Sequence, residues 1–224
     1  KRKEKILRLV KSGNKDAAFH NDILNKLIDH LQSFNPVRSI DINEKEKEFC
    51  NSLDLITNKP VLYVCNVDES SAVNGNKYVS EVKEIVENEN SELLILAVAS
   101  EADINEFDNY QDRKVFLQDM GLDEAGSSKL IRKSYELLNL QTYFTAGKKE
   151  VKAWTIKKGT TAPQAAGVIH TDFEKGFIRA EVISFRDYAE YKNEIKIKEA
   201  GKLKIEGKDY IVNDGDVMHF RFNV

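Results

Sequence analysis

Residues 61–100 read VLYVCNVDESSAVNGNKYVSEVKEIVENENSELLILAVAS, and this stretch decides the fold. Two apolar runs, VLYVC at 61–65 and LLILAVA at 93–99, flank KYVSEVKEIVENE, in which Val79, Val82, Ile85 and Val86 recur at helical spacing. Continuous apolar strands around an amphipathic helix make a βαβ unit of a parallel sheet, buried on both faces. Such crossovers are right-handed in nearly every case, so both strands end at one rim of the sheet. In open α/β sheets that rim is where ligands bind. The first strand stops abruptly at Asn66-Val67-Asp68-Glu69, and no turn glycine explains the stop. A carboxamide followed by two adjacent carboxylates suits a purine-binding rim or, more plainly, a solvated loop.

Upstream, residues 1–34 read as two helices around a turn at Ser12-Gly13-Asn14. Ile6, Leu7, Leu9 and Val10 mark the first, and Phe19, Ile23, Leu24, Leu27, Ile28 and Leu31 form the apolar stripe of the second. Gly13 suits the left-handed geometry that ends a helix, and Asn14 or Asp16 suits the next cap. The pair is expected to pack on itself as an arm-like coiled coil over 1–36. After Asn35-Pro36, NEKEKEFCNSLDLI predicts a third helix with Phe49, Leu53 and Ile56 on one face. Downstream of the βαβ unit, helices are expected around 104–119 and 127–138, separated by MGLDEAG.

From Thr142 the character changes to β. FTAGKKEVKAWTI is a hairpin signal turning at Gly147-Lys148, and TAPQAAGVIHTDFEKGF starts a helix with Pro163 in its first turn. FIRAEVISF and KDYIVNDGDVMHFRFNV supply further strands, the latter with an Asn-Asp-Gly turn. Hairpin, helix and more strands within this length suggest a small β-grasp, ubiquitin-like sheet wrapped on one helix.

With 41% hydrophobic and 32% charged residues among 224, the chain has the balance of a globular protein of one or two domains. A net charge of −3 excludes a global basic field, although residues from Thr142 onward hold 15 Lys and Arg against 12 Asp and Glu. Cys50 and Cys65, the two cysteines, form no CxxC pair and point to a reduced, cytoplasmic protein. No apolar run reaches the ~20 residues of a membrane span, so no membrane partner is expected. Lys1 opens inside a helical pattern without an initiator methionine, which suggests part of a longer polypeptide.

The loop after the first strand carries the chemistry. GTPases read guanine with Asn-Lys-x-Asp at this place: the Asn braces the loop, the Lys stem lies over the ring, and the Asp accepts from two adjacent guanine N–H donors. Here Asn66 is followed by Val67 where the Lys would be and Glu69 where the Asp would be. A glutamate carboxylate, one methylene longer, overshoots that bidentate pairing, whereas adenine lacks the donor pair and offers an N1 acceptor and an N6 donor. A site built for one edge rejects the other, because buried polar groups stay unpaired. The loop therefore leans toward ATP, although an isolated NxxE by itself reads more readily as a polar βα loop.

The chain as a whole resembles the YchF/Obg-like family of P-loop ATPases. The carrying stretches are NVDE at 66–69, LLNLQTYFTAGKKEVKAWTI at 137–156, APQAAGVIHTDFEKGFIRAEVI at 162–183 and EGKDYIVNDGDVMHFRFNV at 206–224. The resemblance implies an α/β fold: a partial P-loop NTPase parallel sheet at 37–140, with the coiled-coil arm of 1–36 inserted, and a C-terminal β-grasp TGS domain at 141–224. It implies a ribosome-associated ATPase preferring ATP to GTP, with Asn66, Val67 and Glu69 as the base loop. The turn from Ala97 through Val98 and Ala99 to Ser100 would be a second, backbone-mediated base loop. No G-x-x-x-x-G-K-[ST] occurs in these residues. The phosphate cradle and the Mg²⁺ ligands are therefore expected upstream of Lys1, and the chain alone is expected not to hydrolyse ATP. A different class of function, a non-catalytic RNA- or ribosome-binding module, remains open.

Other residues invite weaker readings. His170 and Asp172 look like a catalytic pair, but in a small β-grasp unit they suit a structural turn better. His20, His30 and His219 show no metal-ligand spacing, and Asp214-Gly215-Asp216 lacks the rest of a calcium loop. Lys148, Lys149, Lys152, Lys157 and Lys158 beside Trp154 suit contact with ribosomal RNA. The arm's Arg8, Lys11 and Lys15 are a second such candidate.

Overall fold

A computed structural model describes residues 2–89, 91–147 and 150–223. The chain divides into two compact units, Lys1–Lys133 and Ser134–Val224.

The first unit opens with helices α1 (Arg2–Lys11) and α2 (Lys15–Gln32), joined through Gly13 at φ +82°. Asn14, not Asp16, caps α2, its side-chain oxygen accepting from the Ala17 N–H at 2.9 Å. The expectation that these helices pack only on each other is corrected. No residue of α1 is buried, and Leu7 and Leu9 are exposed, so α1 contributes only Ile6 to the local core. The buried stripe of α2, Ile23, Leu24 and Leu27, turns instead onto Val37, Phe49 and Cys50. Each such burial is worth ~2 kcal/mol, which fastens α2 to the segment that follows it. Helix α3 (Glu44–Asn51) starts with a capping box between Asn43 and Glu46. It ends before Ile56, which sits 84% exposed in a separate 3₁₀ turn at Ile56–Asn58. The break comes at Asp54, whose φ of +51° cannot continue a right-handed helix.

Strand β1 (Leu62–Asn66) runs parallel to β2 (Glu92–Leu96) across helix α4 (Lys77–Asn88), with Asn66 opposite Leu96. The βαβ connectivity expected from 61–100 holds, but burial on both faces does not: no residue of β1 is fully buried, and Val64 is exposed. The second strand stops at Leu96, and Val98 begins helix α5 (Val98–Glu106). The helix expected at 104–119 is two helices, α5 and α6 (Tyr110–Asp119), because the Asn109 side chain caps the Asp112 N–H and starts a new one. Helix α7 (Gly126–Leu137) follows, and the division between the units falls within it.

In the second unit, β3 (Leu140–Ala146) and β4 (Val151–Lys157) form the expected antiparallel hairpin. The Gly147 N–H donates to the Glu150 carbonyl at 2.9 Å; Lys148 and Lys149 lie outside the described residues. Helix α8 (Ala162–Ile169), capped by Thr161 with Pro163 in its first turn, leads into α9 (Thr171–Lys175). Strand β5 (Phe177–Ser184) is followed by two short helices that the sequence reading missed, α10 (Phe185–Tyr191) and α11 (Glu194–Glu199). Then come β6 (Lys204–Glu206) and β7 (Asp216–Phe222). The expected strand at KDYIV is reduced to one bridge, Ile211 to Thr161. Strand order is β4-β3-β7-β5-β6, with β3 and β7 parallel and the other neighbours antiparallel.

The two faces of this sheet differ. Tyr143, Ala180, Val182, Met218 and Phe220 meet Ala162, Ala165 and Ala166 of α8 in one core. On the opposite face Ile183 and Val217 are covered by Ile197, Tyr188 and Tyr191 from α10 and α11.

Candidate functional site

The rim at the ends of β1 and β2 is built by backbone and one amide. The Val67 N–H donates to the Leu96 carbonyl at 2.8 Å, extending the parallel ladder one residue past the strand. Asn66 then leaves the sheet, and its Oδ1 accepts from the Val98 N–H at 3.1 Å, tying the β1 loop to the first turn of α5. Ala97 is buried and forms the helix boundary, while Val98 and Ala99 are exposed in that first turn. Where the sequence suggested a loop at 97–100, the chain places a helix N-terminus. The amides of Ala99 and Ser100 have no acceptor among the described residues. The Val67 carbonyl also has no partner among them.

The two carboxylates divide their work. Asp68 caps the 3₁₀ turn Glu69–Ser71: its Oδ1 accepts from the Ser71 N–H and from the Ser70 hydroxyl, both at 2.9 Å. Hydrogen bonds from Ser71 and Ser70 hold this carboxyl below the usual carboxylate range. The Glu69 side chain is exposed, and its carboxylate has no hydrogen-bond or ion-pair partner among the described residues. The abrupt stop after VLYVC is therefore a bracing amide, a cap and one unoccupied carboxylate.

Sequence reasoning missed the residues behind the rim. Glu101 accepts from the Gly126 N–H at 2.5 Å and the Ser127 N–H at 3.1 Å, so an α5 side chain caps α7. A Cβ on Gly126 would collide with the Leu96 side chain at the end of β2. A lone glycine after Glu124-Ala125 carries no such signal in one sequence. At the other end of β1, Arg38 bonds Glu89, and Tyr63 donates to the same carboxylate at 2.8 Å. This pins the chain after α2 to the βαβ unit.

The remaining expectations sort by geometry. His170 caps α9, accepting from the Asp172 N–H at 3.2 Å, a structural role as expected. Trp154 is half-buried against the core, donates to the Thr145 hydroxyl at 2.9 Å and has the Lys152 ammonium 4.0 Å over its ring. It is engaged within the fold and offers no open stacking platform. Burial pushes the Cys50 thiol up, which makes it a core residue. Among the described residues no three His, Cys, Asp or Glu side chains cluster as metal ligands. No helix among them is long and apolar enough to cross a membrane.

Known proteins agree with this architecture. A family model described as "YchF-GTPase_C: Protein of unknown function (DUF933)" matches residues 140–223. A "Ribosome-binding ATPase YchF" of Pasteurella multocida is 50% identical over 222 residues, covering 99% of this chain and 60% of the relative. The protein of the same name from Bacillus subtilis is 45% identical over 226 residues, covering all of this chain and 62% of the relative. Among solved structures, one described as the Schizosaccharomyces pombe YchF GTPase superposes with a TM-score of 0.79 at 33% identity. That likeness covers 98% of this chain and 62% of the other. A GTP binding protein from Pyrococcus horikoshii, with a TM-score of 0.53 and 17% identity, shares the fold. The chain spans about 60% of the length of the curated relatives it matches; over that span it is similar to the YchF proteins, and its residues 140–223 match the YchF-GTPase_C family model.

Proposed function

We propose that this chain is the C-terminal part of a ribosome-associated ATPase whose adenine base lies on the rim of Asn66, Val67, Glu69, Ala97, Val98 and Ala99. The observation that carries the reading is the Asn66 side chain accepting from the Val98 N–H, which ties the β1 loop to the first turn of α5 in one edge. Around that bridge the free groups are an acceptor, the Val67 carbonyl, and donors, the Ala99 and Ser100 amides. An N6 donor beside an N1 acceptor complements this set. The Val67 side chain, in place of a lysine stem, supplies an apolar surface for the ring. The curated relatives are named ATPases and the fission-yeast structure a GTPase, so the base is the point to test.

Two further observations support the larger assignment. The described residues of the first unit hold a parallel sheet of only two strands, with Val64 in its first strand 44% exposed. Parallel strands are normally buried on both faces, so further strands of a P-loop domain suit this sheet. In this reading the phosphate cradle and Mg²⁺ ligands lie in sequence beyond these 224 residues. Bound Mg²⁺ would neutralise the charge developing on the transferred phosphoryl group. The order β4-β3-β7-β5-β6 around α8 is that of a β-grasp and supports a TGS domain at 141–224, after an arm at 1–36 and a nucleotide-domain portion at 37–140. The relatives' printed name supports a ribosomal partner; in this reading the protein is cytoplasmic and contacts ribosomal RNA through this unit and the basic arm.

Calorimetry on the polypeptide at the relatives' full length is expected to give tighter binding of ATP than of GTP. Glu69→Asp combined with Val67→Lys should swing preference toward GTP. Equal or tighter GTP binding by the unaltered protein would sink the assignment of the base.

A further inference from the structure

The outer face of the five-stranded sheet is only half covered. Helices α10 and α11 close it over Ile183 and Val217, and beyond them the same face continues in Arg179 and Glu181 of β5 and His219 and Arg221 of β7. In register, Arg179 lies directly opposite Arg221, and Glu181 directly opposite His219. Like charges at directly opposed positions destabilise a sheet. A sequence that breaks a local rule without gain to the fold does so at functional sites.

Glu181 relieves the clash only in part. Its carboxylate takes Arg221 side-on, with Nε at 3.1 Å and Nη2 at 3.2 Å, while Arg179 stands 3.9 Å away, beyond hydrogen-bond reach. The Arg179 and His219 side chains have no hydrogen-bond partner among the described residues, Arg179 making only a long ion pair with Glu181, and Arg221 keeps its second Nη free. Both arginine side chains are about half exposed, at 50% and 51%. Alongside runs a groove of about 270 Å³ floored by Ala146, Ile183, Leu203 and Val217, with Tyr188 and Glu194 on its wall. It has room for one planar base beside the arginine pair.

We propose that this open half-face binds single-stranded RNA, Arg179 and Arg221 taking a backbone phosphate and the adjoining groove taking a base. The proposal deepens the ribosome-binding reading by naming the chemistry of the contact, and it rests on that reading for its biological setting. Planar guanidinium forks match phosphate oxygens bidentately. Single-stranded RNA presents its bases outward beside each phosphate, which fits a cationic pair next to a groove with both apolar and polar lining better than an acidic peptide does. Glu181 preorganises Arg221 while leaving the pair a net positive charge.

Anisotropy of a labelled single-stranded RNA oligonucleotide, titrated with the 224-residue chain over a range of salt, tests this directly. Arg179→Gln with Arg221→Gln should weaken binding about tenfold and lower the slope of log K against log salt by about one. Glu181→Gln, which releases the Arg221 fork, should strengthen binding. Lys152→Gln with Lys157→Gln, on the hairpin, should leave it nearly unchanged. Unaltered affinity and slope in the double arginine variant, weaker binding in Glu181→Gln, or loss confined to the hairpin variants would each overturn the site. Binding of polyglutamate in place of RNA would overturn it in favour of a protein partner. Ribosome co-sedimentation reads the parent assignment separately: RNA binding at this face with no ribosome association would end that assignment and keep the site.

Discussion

The two sheets of this chain pose opposite problems. In the second unit, five strands are covered by α8 on one face and half covered by α10 and α11 on the other, and Tyr143, Ala180 and Val182 are almost wholly buried. In the first unit two parallel strands stand alone among the described residues, and Val64, in the first of them, is 44% exposed. One sheet closes a full face within the chain; the other leaves Val64 exposed in its first strand. The difference teaches where stability and recognition reside. The second unit contributes a finished core and an unfinished charged face, and the first an unfinished core and a finished rim.

The sharpest way to break that contrast is to remove core volume from each sheet. Tyr143 is 0% exposed, and its hydroxyl donates to the Ala165 carbonyl at 2.9 Å. Tyr143→Ala should cost about 4 kcal/mol in urea unfolding followed by Trp154, the single tryptophan. Val64→Ala should cost less than about 1 kcal/mol by far-ultraviolet circular dichroism, because much of its side chain already meets solvent. Equal losses would show that the parallel pair carries a core of its own.

Next in size is the clamp beneath the rim. Arg38 bonds Glu89, which also accepts from Tyr63, and the Nε of Arg38 is buried without a partner. Glu89→Ala should cost about 2 kcal/mol, since it leaves a largely buried guanidinium uncompensated. The pH dependence follows from the same contact. Hydrogen bonds from Arg38 and Tyr63 hold the folded-state Glu89 carboxyl below the ordinary glutamate value. Its stabilisation is therefore full above that value and is lost as pH falls through the lower, folded one. Acid titration of unfolding stability should show this loss in the wild type and a flatter curve in Glu89→Gln.

What the sequence revealed tracks the range of the interaction. The βαβ unit, the turn at Gly13 and the hairpin rest on patterns within a few residues, and all three stand. The start of α5 at Val98 was hidden because an apolar run continues through Ala97-Val98-Ala99, and only the bond from Asn66, 32 positions away, shows that the strand has ended. Helices α10 and α11 were hidden because each is a single short amphipathic piece whose partner, Val217, comes from the last strand. The arginine pair was hidden for a related reason: alternation puts Arg179 and Glu181 on one face, but only the register with β7 brings Arg221 opposite. Of the rim, residue types in NVDE were readable, while the division of labour between its carboxylates was not.

That division gives the smallest expected effect and the cleanest comparison. Asp68 and Glu69 are adjacent acids in one turn, both exposed, yet Asp68 accepts two hydrogen bonds and Glu69 accepts none among the described residues. Asp68→Ala should cost about 1 kcal/mol, the usual loss of a capping side chain. Glu69→Ala should change stability by less than about 0.5 kcal/mol, as an exposed side chain without partners does. Thermal unfolding of the two variants side by side measures the difference. A carboxylate that costs the fold nothing to remove is one the fold does not use, which is what the proposed base-binding role of Glu69 requires. If Glu69→Ala proves as destabilising as Asp68→Ala, that inference fails, and the stretch after β1 is a capped turn with two structural acids.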